Sequence, residues 1–130
     1  MSVEIRFLLG QKCQKLVRDL PYENIKNKIM GKRYSLSLAF VGDKRSTTLN
    51  KTYRGKNTPA NILSFPLSKN EGEIIINPHQ ARRDAKHHTM VPGKFVGYLF
   101  IHGLLHLKGC IHGSTMNREE ERLLKKFDIV

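Results

Sequence analysis

Acidic residues are scarce in this chain. Asp and Glu together number 11 against 23 Lys and Arg, which leaves a formal charge of +12 over 130 residues with the histidines neutral. An excess that large favours a polyanionic partner, nucleic acid first. General solubility is the alternative, but the charge is unevenly spread: from Lys44 to Lys69 there are six basic residues and no acidic one. Cysteine occurs only twice, at Cys13 and Cys110, which excludes a disulfide-stapled scaffold and fits a reducing cytoplasm. No apolar run approaches the roughly 20 residues of a membrane span, so no membrane partner is expected. The opening Met-Ser-Val-Glu-Ile-Arg lacks the basic-then-apolar layout of a signal peptide. Internal repeats, low-complexity tracts and Pro/Gly/Ser-rich linkers are lacking too, and one domain over residues 1–130 is expected.

What the chain does have is enough apolar character, 39% of residues, to bury a core. Val3, Ile5 and Phe7 alternate with Glu4 and Arg6 at the period of a half-buried strand. Helices are expected over about 12–20 and 22–30, with Gly31 stopping the second. A strand follows from Tyr34 to Val41, then a helix capped by Asp43 and running to about Tyr53. Arg54 to Ala60 should be a loop. Asn61 to Leu67 and Glu73 to Asn77 read as strands joined through Lys69 to Gly72, with Pro66 marking an edge strand. Helices over about 79–89, 94–108 and 115–127 complete the chain, the last capped by Ser114 or Thr115. Strands early and helices late imply an α+β fold with a small mixed sheet packed against helices.

The chemistry concentrates in residues 102–112, His-Gly-Leu-Leu-His-Leu-Lys-Gly-Cys-Ile-His. His102 and His106 lie one helical turn apart on one face, close enough for two imidazoles to reach a single ion. Leu99, Ile101, Leu104, Leu105 and Leu107 make that helix apolar and buried, an unusual place for two histidines without a task. Gly109 can end the helix in the left-handed conformation and bring His112 back as a third donor. Three imidazoles leave a fourth tetrahedral position open, which is the mark of a catalytic rather than a structural zinc site. Cys110, two residues from a ligand, is better read as a small core residue than as a fourth donor. His79, His87 and His88 show no comparable spacing; His87-His88 reads as the solvated end of a basic helix carrying Arg82, Arg83 and Lys86.

The spacing His-x3-His-x2-Gly-x2-His is shared with the metzincin metalloproteases. There the residue after the first histidine is the glutamate that acts as general base; here it is Gly103, so proteolysis is disfavoured.

Two blocks resemble the YbeY metallo-endoribonucleases. One is His102 to His112. The other is Leu49-Asn50-x-x-Tyr53-Arg54-Gly55-Lys56, continuing through Pro59 to Leu63-Ser64-Phe65-Pro66. Gly72-Glu73-Ile74-Ile75-Ile76 and Met116 with Glu119 follow in the expected order. The resemblance implies an α+β, metalloprotease-like fold. It implies a zinc-dependent, single-strand-specific endoribonuclease of the bacterial cytoplasm, acting in 16S rRNA 3′-end maturation and ribosome quality control. It places one Zn2+ per chain on His102, His106 and His112, the centre of catalysis, and a functional arginine at Arg54. Ribosomal or GTPase partner proteins would suit such a role but leave no sequence signature. The chain departs from the family pattern at Cys110, Ile111, Asn57 and Ala60; Ile111 stands where a carboxylate is usual, which removes one candidate proton acceptor beside a ligand.

Arg54 suits a phosphate clamp, because a fixed guanidinium binds two phosphoryl oxygens at once. Lys44, Arg45, Lys51, Arg54, Lys56 and Lys69 are candidates to hold the RNA backbone. Tyr53 or Phe65 could stack on an unpaired base, although aromatics beside strands more often join a core. The rival from another class is a ribosome-associated RNA-binding protein whose metal is purely structural.

Overall fold

The computed structural model describes residues 3–8, 16–110 and 113–129. Cys13, Ile111 and His112 lie outside these residues, as does most of the helix expected over 12–20, although Leu16 and Val17 are helical. In chain order the elements are β1 (Val3–Leu8), α1 (Tyr22–Met30), β2 (Ser35–Val41), α2 (Asp43–Arg54), β3 (Ile62–Ser68) and β4 (Glu71–Ile76). They continue with α3 (Pro78–Ala85), a 3-10 turn (Lys86–His88), α4 (Pro92–Leu107) and α5 (Ser114–Lys126). The fold is α+β, as expected.

Among the described residues the strands form a four-stranded sheet in the order β1-β2-β4-β3. β1 and β4 run parallel to β2, one on each side, and β3 returns antiparallel along β4. The sheet is therefore mixed. β3 is an edge, which suits Pro66, since proline has no N–H to give to a further strand. The pairing slips by one residue between Pro66 and Ser68.

Alternation along β2 sends Leu36, Leu38 and Phe40 to one face, where they join Ile74 and Ile76 of β4 beneath α1 and α4. Tyr22 sets its ring edge-on to Phe100 at 4.9 Å, and Phe7 stacks on Phe40 at 5.2 Å. The opposite face carries the smaller cluster Ala39, Val41, Leu63 and Ile75, with Leu49 of α2 packed on it. β1 keeps the alternation only in part: Val3 is buried, but Ile5 is 38% exposed because the strand lies at the sheet edge.

Gly31 ends α1 with φ 89°, a value that glycine adopts without steric cost. Two expected caps are corrected. Gly42, not Asp43, occupies the cap position of α2; the Asp43 carboxylate instead accepts from Asn77 Nδ2 at 2.8 Å and Arg83 Nη2 at 2.5 Å. Those two partners hold it below the usual carboxylate range. Gly113, not Ser114 or Thr115, precedes α5, and no side chain caps that helix. The true side-chain cap is Asn77, whose Oδ1 accepts from the backbone of His79 and Gln80 at the start of α3. Among the described residues no helix is long and apolar enough to cross a membrane.

Candidate active site

α4 is buried along most of its length, with Phe95, Val96, Leu99, Phe100, Ile101, Leu104 and Leu105 in the core. His102 and His106 stand on the remaining face, one turn apart, with Nε2 facing Nε2 at 3.0 Å. Two nitrogens held at 2.0–2.1 Å from one ion in tetrahedral geometry lie about 3.3 Å apart, so this pair stands within a few tenths of an ångström of the separation a shared cation requires. The helix then stops as its sequence indicates, Gly109 taking φ 95°.

The other nitrogen of His102, Nδ1, is hydrogen-bonded to Glu120 Oε1 of α5. A carboxylate at Nδ1 fixes the tautomer: Nδ1 donates, and the lone pair stays on Nε2, where it can bind a metal. Glu120 is 6% exposed, and α5 buries Met116, Glu120, Leu123 and Leu124 on one face. Sequence reading passed over Glu120 because it sits in the run Glu119-Glu120-Glu121. Its helical spacing was the available signal: it occupies a core position of an otherwise apolar stripe.

These histidines open onto a cleft of about 490 Å³. α4 supplies Tyr98, His102 and His106 to one wall, and the facing side is made by Asn61, Ile62 and Ser64 of the β3 region together with Arg54. Arg54 is the last residue of α2, where Gly55 turns the chain in the left-handed conformation at φ 70°. The following loop is tied down at Thr58 and Ala60 by three hydrogen bonds. Asn50 Nδ2 donates to Thr58 O at 2.9 Å, Ser46 Oγ donates to Ala60 O at 2.7 Å, and the Ala60 N–H donates back to Ser46 Oγ at 2.8 Å. Arg54 itself donates from Nη2 to Ile62 O at 3.5 Å. An exposed cation at a helix end thus lines the same cleft as the two histidines.

His88 joins the same cleft. The 3-10 turn after α3 sets its ring 4.9 Å from Phe95 and 6.1 Å from Tyr98, so it is not merely the solvated end of a basic helix. Burial, with the Glu120 charge adding to it, raises the Tyr98 phenol above its ordinary value.

The remaining cations are spread. Lys51 and Lys56 are exposed within a few residues of Arg54. Lys44 and Arg45 lie at the far end of α2, about 15 Å along the helix at 1.5 Å per residue, beside a separate depression with Leu8, Gly42 and Thr48. Lys69 is exposed in the β3–β4 turn. Tyr53 is 63% exposed, with its ring 4.9 Å from Phe65, so it is a surface aromatic rather than a core one. Cys110 is half-buried and packs against the core. Among the described residues no group of three or more His, Cys, Asp or Glu side chains forms a metal site; the third expected donor, His112, lies outside them.

Gly103 faces the side chains of β3 and β4 at close range. A Cβ there would meet Ile62 Cδ1 at 2.8 Å and Ser64 Oγ at 2.9 Å. Glycine in a helix interior normally costs about 1 kcal/mol relative to alanine. Overpacking costs typically 1–3 kcal/mol. Gly103→Ala is therefore expected to lower stability by about 1 kcal/mol where an open helix position would gain as much. Thermal unfolding checks this; a raised midpoint would mean that the sheet yields to the methyl group.

A model of the family described as endoribonuclease YbeY matches residues 4–128. The endoribonuclease YbeY of Thermodesulfovibrio yellowstonii is 38% identical over 100 residues, which cover 72% of this chain but only 62% of that relative's length. That of Halalkalibacterium halodurans is 30% identical over 141 aligned positions, covering 94% of this chain and 87% of the relative. The solution structure of TM1509 from Thermotoga maritima superposes with a TM-score of 0.68 at 27% identity, over 95% of this chain and 89% of that one. With its histidine pair and Arg54 segment inside the matched span, the chain belongs to the endoribonuclease YbeY family.

Proposed function

We propose that this protein is a zinc-dependent endoribonuclease that cuts single-stranded ribosomal RNA. Its place would be 16S rRNA 3′-end maturation and ribosome quality control in the bacterial cytoplasm, as one domain working with the ribosome. The observation that carries the reading is the convergence of His102 and His106 through Nε2, with Glu120 on the far nitrogen and Arg54 on the same cleft.

The donor set fits a metal ion of borderline softness: two imidazoles in a half-buried pair, one of them oriented by a carboxylate. His102, His106 and His112 would hold one Zn2+ per chain. When bound, the ion would supply Lewis acidity at a phosphoryl oxygen and a water acidified to a pKa of roughly 7.

The chain's own residues do the rest. Glu120 holds the Nδ1 proton of His102 and so keeps Nε2 available. Arg54, at the helix end where Gly55 turns the chain, would present a fork of N–H donors to the oxygens on which charge develops as the phosphodiester breaks. Lys51 and Lys56 beside it, with Lys44, Arg45 and Lys69 further out, hold the backbone without reading bases, so binding should weaken steeply with salt.

The test is gel-resolved cleavage of end-labelled single-stranded RNA by wild type and Arg54→Ala. Arg54→Ala should retain its melting temperature and zinc content while cleavage falls about 10²–10³-fold, as when one preorganised donor to a developing oxyanion is removed. Cleavage at the wild-type rate would reject the clamp. Tight, salt-sensitive RNA binding without cleavage by wild type would reject the nuclease reading in favour of a binding protein.

A further inference from the structure

α4 and the 3-10 turn line the cleft with more than metal-binding groups. From the histidine pair outward, rings follow one another: His102 to Tyr98 at 5.8 Å, Tyr98 to Phe95 at 5.6 Å and to His88 at 6.1 Å, and His88 to Phe95 at 4.9 Å. The planes of these neighbours differ by only 22–36°, whereas His106 is turned 74° to His102. Phe95 is buried, Tyr98 is half-buried and His88 is exposed, so the file is anchored in the core and opens to solvent at its outer end.

A core needs no such alignment at its wet margin. A ligand with a flat, aromatic face does. The facing side offers polar groups on Asn61 and Ser64, which can meet the edge of a planar heterocycle, and Arg54, which can meet its phosphate. An aromatic floor, polar wall and basic rim together describe a nucleotide.

The geometry points to a nucleobase-stacking subsite on Tyr98 and His88, which holds an unpaired base of the RNA strand one or two nucleotides from the phosphate at the histidine pair. The inference rests on the nuclease reading for its substrate class and adds the residues that select single strands. A paired base has its faces covered by neighbours in the duplex and cannot lie on this floor, whereas an unpaired one can. Stacking tolerates any base, so the subsite selects strandedness rather than sequence.

The test is a fluorescence titration. A single-stranded oligoribonucleotide carrying one 2-aminopurine, with a chelator present to prevent cleavage, is added to wild type, His88→Ala, Tyr98→Leu and Tyr98→Phe. Wild type and Tyr98→Phe should quench the fluorophore. His88→Ala and Tyr98→Leu should lose the quench and bind about 10-fold more weakly. All four should bind an abasic oligonucleotide of the same length equally, because the phosphate contacts are untouched. His88 is exposed, so its substitution tests the subsite even if a Tyr98 variant unfolds. Unchanged affinity and quench in His88→Ala, or equal binding of the abasic and intact strands by wild type, would overturn the subsite. Quenching by a wild type that never cuts RNA would uphold the subsite while rejecting the nuclease. Cleavage with no effect of either ring would do the reverse.

Discussion

His106→Ala is expected to purify without stoichiometric zinc and to cut single-stranded RNA at least about 10³-fold more slowly than wild type. Removing an outer partner of a metal ligand typically costs 10–100-fold, and removing the ligand itself must cost more. The variant should also melt at a lower temperature in the presence of zinc, because an ion that binds only the folded chain adds its binding energy to stability. The effect separates from a packing defect by a simple control. With chelator present, wild type and variant should melt within a few degrees of each other, since His106 is half-buried and lines the cleft. Metal analysis together with paired melting curves makes the check. Zinc content equal to wild type would remove His106 from the site.

The second large effect lies far from the chemistry. Lys26 of α1 is fully buried, and its ammonium donates to three backbone carbonyls: Gly31 at 2.9 Å, Lys32 at 3.4 Å and Tyr34 at 2.8 Å. These carbonyls belong to the turn that carries the chain from α1 into β2, the central parallel strand. Lys26→Met keeps the volume and removes the donor. Each carbonyl left without a partner costs about 1–3 kcal/mol, and relief from burying a charge offsets part of that. A net loss of about 3 kcal/mol is expected, or a fall in melting temperature of about 10 °C.

Burial pushes the Lys26 ammonium below its ordinary lysine value, with Glu23 opposing. The unfolded chain therefore binds this proton more tightly than the native one. Between the lowered native value and 10.5, Lys26 makes stability rise with pH, and Lys26→Met should lose that contribution. Denaturant unfolding at neutral and alkaline pH measures both effects. A variant as stable as wild type at neutral pH would show that water replaces the ammonium at the turn.

Much of this architecture can be read from local pattern. The alternation of β2, the hairpin of β3 and β4, the stop at Gly31 and the histidine pair on α4 each depend on residues close in sequence, and each stands where spacing predicts. What could not be read depends on residues brought together from a distance. Asp43 looked like a helix cap because nothing nearby in sequence announces Arg83 and Asn77 as its partners. Glu120 was hidden by its acidic neighbours, and its role requires α5 to pack across α4. His88 is exposed as its sequence suggests, but the turn that sets its ring against Phe95 leaves no periodic trace. Lys26 carries a charge, and only its three carbonyl partners explain its burial.

The close seat of Gly103 against Ile62 and Ser64 also bears on how this scaffold can change its trade. Glycine and glutamate codons can differ by a single base, so ordinary mutation readily supplies the acid that peptidases of similar histidine spacing carry at this position. The obstacle is mechanical. A carboxylate arm at residue 103 would run into the Ile62, Ser64 and Ile74 side chains, so these have to give way first, and Ile62 is also the residue whose carbonyl receives Arg54. One altered letter would thus have to be joined by compensating ones around β3 before the acid could be seated.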